Sequence, residues 1–124
     1  MAESNIKRNI SIIEEGTETI GNIHWTYRKW SDGTAEAWGY ISSYQVNCNS
    51  SYGYMYYGPL QDHQYFPTNL FIDTPIINIT FISGDGLVGG IYSIVKEYFS
   101  YYPYVPNAGT HYIAWRAYLV GKWR

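Results

Sequence analysis

The chain has 124 residues, the size of one domain able to bury a core of its own. Only 15% are charged and the net charge is −2, a poor match to polyanions, while the single cysteine, Cys48, excludes a disulfide framework and a cysteine-based zinc cluster. Hydrophobic residues reach 46%, which excludes a disordered chain, and 15 tyrosines beside 12 glycines set the composition apart.

Residues 1–21 are polar with scattered isoleucines, and the alternation around Ile10 and Ile12 allows one short strand. Gly16 and Gly21 punctuate a loop, so 1–21 reads as a lead-in and 22–124 as the domain proper. Met1 to Asn5 lack an apolar run, so no secretory leader is expected. Ile23, Trp25 and Tyr27 share one face of a strand at period two. Asp32-Gly33 then joins it to a second strand, because glycine accepts the positive φ of a tight hairpin. On that second strand Ala35, Ala37, Gly39 and Ile41 form a small face fit for close packing, opposite Glu36, Trp38 and Tyr40. Arg28 and Glu36 lie near each other across the hairpin in some registers, and a cross-strand ion pair is expected.

Residues 42–58 are polar and aromatic together; if extended, they align Tyr52, Tyr54 and Tyr56 on one face. Gln61 to Gln64 read as a polar loop with Asp62 and His63. A new element begins at Tyr65-Phe66-Pro67, and Phe71 to Pro75 read as a strand end and a turn. Ile76 to Ile82 form a β-branched strand with Ile77, Ile79 and Phe81 inward. Ser83 to Gly86 form a turn, and Gly89-Gly90 permits a bulge or a close backbone approach. Residues 91–99 alternate as one strand, with a helical alternative at 94–97. Residues 100–109, with two prolines and three tyrosines, read as a loop. The last strand places Ile113, Trp115, Ala117 and Leu119 inward, with Tyr112, Arg116 and Tyr118 outward. The sum is an all-β chain of about seven or eight short antiparallel strands, a β-sandwich or barrel. No apolar run approaches the roughly 18–20 residues that span a bilayer, so membrane insertion is not expected.

The stretch from Trp25 to Gly39, reading W-T-Y-R-K-W-S-D-G-T-A-E-A-W-G, resembles a signature in the C-terminal head domains of tail-fibre and minor structural proteins of phages that infect Gram-positive bacteria. Tyr65-Phe66-Pro67, Phe71, Pro75, Gly109 and the stretch Ile113 to Leu119 are similar to that family in layout. The likeness covers about residues 22–124, and Ala37 stands where family members often carry cysteine. It implies a compact antiparallel β-sandwich head, assembled as a homotrimer at the distal tail or baseplate of a virion. Its implied partner is a host cell-surface saccharide, with other tail proteins met through the N-terminal side. No nucleic acid partner and no cofactor are expected.

Saccharide recognition needs aromatic faces for the apolar C–H patches of a sugar and planar polar groups for its hydroxyls. Two segments offer both. The first holds Tyr52, Tyr54, Tyr56 and Tyr57 followed by Asp62 and His63; the second holds Tyr101, Tyr102 and Tyr104 with Asn107. The same tyrosines equally suit subunit interfaces, where tyrosine is also enriched, and a purely structural tail component is the second reading. A depolymerase, the third, would draw a carboxylate pair from Asp62, Asp73 and Asp85, all of which also suit turns. His24, His63 and His111 lack ligand-like spacing, so no metal site is expected. Trp25, Tyr27, Trp38 and Trp115 are expected to pack in the core or an interface, and the reading overall is not that of an enzyme.

Overall fold

Inward-facing small residues let bulky ones cross between two layers, and that alternation organises the molecule. A computed structural model describes residues 10–82 and 88–124. Eleven strands run through them: β1 (Ile12–Ile20), β2 (Ile23–Trp30), β3 (Thr34–Ile41), β4 (Tyr44–Cys48), β5 (Ser50–Tyr52), β6 (Met55–Tyr57), β7 (Gln61–Tyr65), β8 (Ile76–Ile82), β9 (Val88–Ile94), β10 (Tyr98–Val105) and β11 (Gly109–Lys122). All pairings are antiparallel. They form a six-stranded sheet and a five-stranded sheet packed as a β-sandwich.

The first sheet runs β1-β2-β3-β11, with β8 on the far side of β11. The β2–β3 hairpin turns at Asp32-Gly33 as expected: Gly33 has φ 93°, and the Asp32 carboxylate accepts from the Thr34 amide at 2.9 Å. Tyr40 pairs with Arg116 and Tyr44 with Ile113, so the register slips by one residue at Ser42-Ser43. β4 therefore continues β3 along β11 across a bulge. The second sheet is built on β10, which pairs with β9 on one side and with β6 and β7 on the other.

The core lies between the sheets. Ala35, Ala37, Trp115 and Leu119 from the first sheet meet Phe99, Tyr101 and Val105 from the second. Gly39 has no side chain because the Trp25 ring occupies that place: a Cβ there would lie 2.3 Å from the ring. Trp25 reaches Trp115 at 6.0 Å between ring centroids, and Trp115 meets Phe99 edge-on at 5.2 Å. The Trp25 indole N–H donates to the Tyr65 carbonyl at 2.8 Å and so ties the two sheets together. Gly89 makes the close approach its sequence allowed, with the Phe81 ring lying where its Cβ would be.

Several expectations are corrected. Residues 12–20 form β1, which pairs along its length with β2; Gly16 lies inside this strand, and Gly21 alone makes the turn, with φ 60°. Gln61 to Gln64 belong to strand β7 rather than to a loop. Residues 91–99 are two strands joined at Val95–Glu97, where the Val95 amide donates to the Tyr98 carbonyl at 2.9 Å. Residues 100–105 are part of β10, the central strand of the second sheet. Pro103 fits there because its nitrogen faces the interval between β6 and β7, where the pairings to Tyr57 and Gln61 leave β10 without a ladder partner. Its carbonyl still accepts from the Gly58 amide at 3.2 Å. Arg28 and Glu36 are register partners, yet Arg28 bonds Glu15 at 3.1 Å, while Glu36 accepts from Trp30 Nε1 at 2.6 Å and from the Tyr118 hydroxyl. The turn expected at 83–86 lies outside the described residues.

Candidate functional site

The outer face of the second sheet gathers most of the residues that the sequence singles out. Along β10, Phe99, Tyr101, Pro103 and Val105 point into the core, so Tyr98, Ser100, Tyr102 and Tyr104 share the opposite face. Register sets Tyr57 beside Tyr104, and the β5–β6 hairpin brings Tyr52 alongside. Five rings then touch in sequence. Tyr52 meets Tyr104 at 5.9 Å and Tyr57 at 6.5 Å; Tyr57 meets Tyr104 at 6.1 Å and Tyr102 at 5.8 Å; Tyr102 meets Tyr92 at 5.5 Å. The packings are edge-on or tilted, the arrangement that the ring quadrupole favours. Tyr52 is 67% exposed and Tyr92 65%, so the array is open to solvent.

A polar group adjoins this array on β7. Ser100 Oγ donates to the Asp62 carboxylate at 2.6 Å, the His63 amide donates to the same oxygen at 2.9 Å, and His63 Nδ1 lies 3.0 Å from the other. The bond from Ser100, followed by those from His63, holds the Asp62 carboxyl below the usual carboxylate range. His63 adopts φ 49°, which turns its ring onto Tyr98 at 4.2 Å between centroids and Tyr65 at 5.7 Å. Serine, aspartate and histidine are neighbours here in the wrong order for a nucleophile. Ser100 donates to a carboxylate, is buried, and has no hydrogen bond to the imidazole that would have to take its proton.

Tyr52, Tyr57, Asp62, His63, Tyr102 and Tyr104 are thus brought together. The other three predicted residues are not. Tyr54 occupies the β5–β6 turn, fully exposed and without a ring neighbour among the described residues, so Tyr52, Tyr54 and Tyr56 do not line one face. Tyr56 pairs with Val105 and packs on the core side. Tyr101 is buried, its hydroxyl 2.6 Å from that of Tyr44, which in turn donates to Gln61 Oε1 at 2.8 Å. Burial pushes the Tyr101 hydroxyl far above its ordinary range. Asn107 lies in the β10–β11 turn, where its carbonyl accepts from His111 Nε2 at 2.6 Å. The sequence reading missed Tyr65, Tyr92, Tyr98 and Ser100. The period-two phase of Tyr98, Ser100, Tyr102 and Tyr104 was the signal that could have found two of them.

Of the carboxylates considered for catalysis, Asp62 lies on this face, Asp73 is exposed in the β7–β8 connection, and Asp85 is outside the described residues. Among the described residues no group of three or more His, Cys, Asp or Glu is placed to hold a metal ion. A cleft of about 810 Å³ opens beyond Tyr65, between the β1–β2 turn, residues 66–72 and the β9–β10 turn. Its Glu18 carboxylate accepts from the Thr68 amide at 2.9 Å and from the Thr68 hydroxyl, a pairing that pins the connection to β1. Comparison with family models, with characterised proteins and with solved structures finds no match to this chain.

Proposed function

We propose that the protein is a non-catalytic receptor-binding head that recognises a host cell-surface saccharide through the outer face of the second sheet. The observation that carries this reading is the contiguous array of Tyr52, Tyr57, Tyr92, Tyr102 and Tyr104 beside the Asp62–His63 group. Exposed rings offer π faces to sugar C–H patches, and an ionised carboxylate accepts from sugar hydroxyls. Tyrosine supplies this contact area at low entropic cost, since it has few rotatable bonds. The likeness of residues 25–39 to phage tail-fibre heads supplies the setting: a homotrimer at the distal tail, held by other tail proteins on its N-terminal side. Several weak sites on one particle would act together through effective concentration.

The test is binding to glycan arrays and to purified cell walls of Gram-positive bacteria, for the native chain and for Tyr57→Ala and Tyr104→Ala. Removing one ring is expected to weaken binding about tenfold, with the melting temperature nearly unchanged. A folded native oligomer that binds no glycan and no cell wall overturns the proposal. Variants that bind as well as the native chain but fall apart into monomers would assign the tyrosines to assembly instead. Light scattering behind size exclusion measures the mass directly, and three chains is the expected result.

A further inference from the structure

We propose that the outer face of the first sheet is a second, separate binding site, which takes an acidic sugar unit. Register builds it row by row. Thr19, His24, Tyr40 and Arg116 lie side by side across β1, β2, β3 and β11, and Thr17, Thr26, Trp38 and Tyr118 form the next row. Between them lies a groove of about 560 Å³, within the range of small-molecule sites. Trp38 is 38% exposed and Tyr40 50%, so two large aromatic faces stand open where a sheet surface would ordinarily carry polar groups. Both are braced from behind or beside: His24 stacks on Tyr40 at 5.0 Å, and Tyr118 tilts against Trp38 at 5.4 Å.

The charge inventory of this face selects the ligand. Glu15 is paired with Arg28 at 3.1 Å, and Arg28 also sits 5.4 Å from the Trp38 ring centroid. The Glu36 carboxylate is occupied by Trp30 Nε1 and the Tyr118 hydroxyl. The Arg116 side chain is exposed on the groove wall and has no ion pair, hydrogen bond or ring contact with any described residue. A guanidinium left over beside two aromatic faces fits a carboxylate or phosphate carried on a pyranose ring: the fork binds two oxygens while the ring lies on the indole. Thr17, Thr19 and Thr26 add hydroxyls at the opposite wall. One spare cation among the described groove residues, in a chain of net charge −2, does not suit a nucleic acid.

The probes are glucuronate and glucose 6-phosphate, with glucose as the neutral counterpart, titrated into the full chain by ligand-observed and protein-observed NMR. At least one acidic probe is expected to bind about tenfold more tightly than glucose, with shifts at the Trp38 indole. Arg116→Gln is expected to abolish that preference, Arg116→Lys to retain part of it, and Trp38→Ala to weaken acidic and neutral probes alike. Tyr104→Ala, on the opposite sheet, should leave it untouched, so loss of the tyrosine site and loss of this one are read separately. Equal affinity for glucose and both acidic probes, or an intact preference in Arg116→Gln, overturns the proposal. So does loss of the preference in Tyr104→Ala.

Discussion

The two outer faces of this sandwich carry exposed aromatic rings in opposite electrostatic company. On the second sheet, five tyrosines adjoin an ionised carboxylate, Asp62, held by Ser100 and His63. On the first, Trp38 and Tyr40 adjoin two guanidinium groups, Arg28 and the unpaired Arg116. The difference lies in charge rather than in ring content: if both faces act as proposed, similar ring platforms would take ligands of different charge. It also separates two ways of supporting a ring. The tyrosines brace one another, whereas Trp38 and Tyr40 each lean on a side chain from a neighbouring strand.

The comparison is broken most severely at the layer both faces share. Trp115→Ala removes a fully buried ring between the sheets and is expected to cost about 3–5 kcal/mol in chemical denaturation, with both faces lost together. Gly39→Ala strikes the first sheet, since the new methyl group must displace the Trp25 ring; a loss of about 1–3 kcal/mol is expected. In that variant the groove beside Trp38 should lose ligand shifts before the tyrosine face does.

Alkaline titration sharpens the contrast further. The hydrogen bond to Glu36 pushes the Tyr118 hydroxyl up to about 12 from an ordinary 10.0. A group raised on folding contributes stability that is complete below its unfolded value. That contribution should fade as pH rises from 10 through about 12, and Glu36→Gln should shrink the change. Phenolate absorbance followed beside the melting temperature measures both. The smallest effect belongs to Arg28→Gln, which removes an exposed ion pair to Glu15 and is expected to change stability by at most about 1 kcal/mol.

The first sheet was legible in sequence because each of its central strands separates apolar from polar residues. Ala35, Ala37 and Gly39 alternate with Glu36, Trp38 and Tyr40, and Ile113, Trp115 and Leu119 with Tyr112, Arg116 and Tyr118. The second sheet hid itself because tyrosine occupies both of its faces. Tyr101 is core and Tyr102 lies half-buried on the outer face, so residue type alone does not say which face of the strand is inward. Pro103 added a false loop signal, since nothing local reveals that its missing N–H falls where no partner strand runs. β1 was hard to see for another reason: most of its residues are exposed, so no buried stripe marks it. Tyrosine, aspartate and histidine types pointed to the tyrosine face, but which of them meet depends on hairpin and register. Tyr54, Tyr56 and Tyr101 part from their neighbours for that reason.

The long strand β11 has a kinetic consequence. It pairs with β3 and β4 on one edge and with β8 on the other, and every one of these partners precedes it in the chain. Thr34 meets Lys122, so the first sheet closes only after a loop spanning most of the domain has been gathered in, a slow class of folding step. Until then β3 and β8 each hold out a bare edge, one carrying Trp38 and Tyr40, the other Ile76 and Ile82. Strands in that condition pair with other chains as readily as with their own. Refolding yield should therefore fall steeply with protein concentration, while in the finished sheet β11 covers the edges of β3 and β8 that face it.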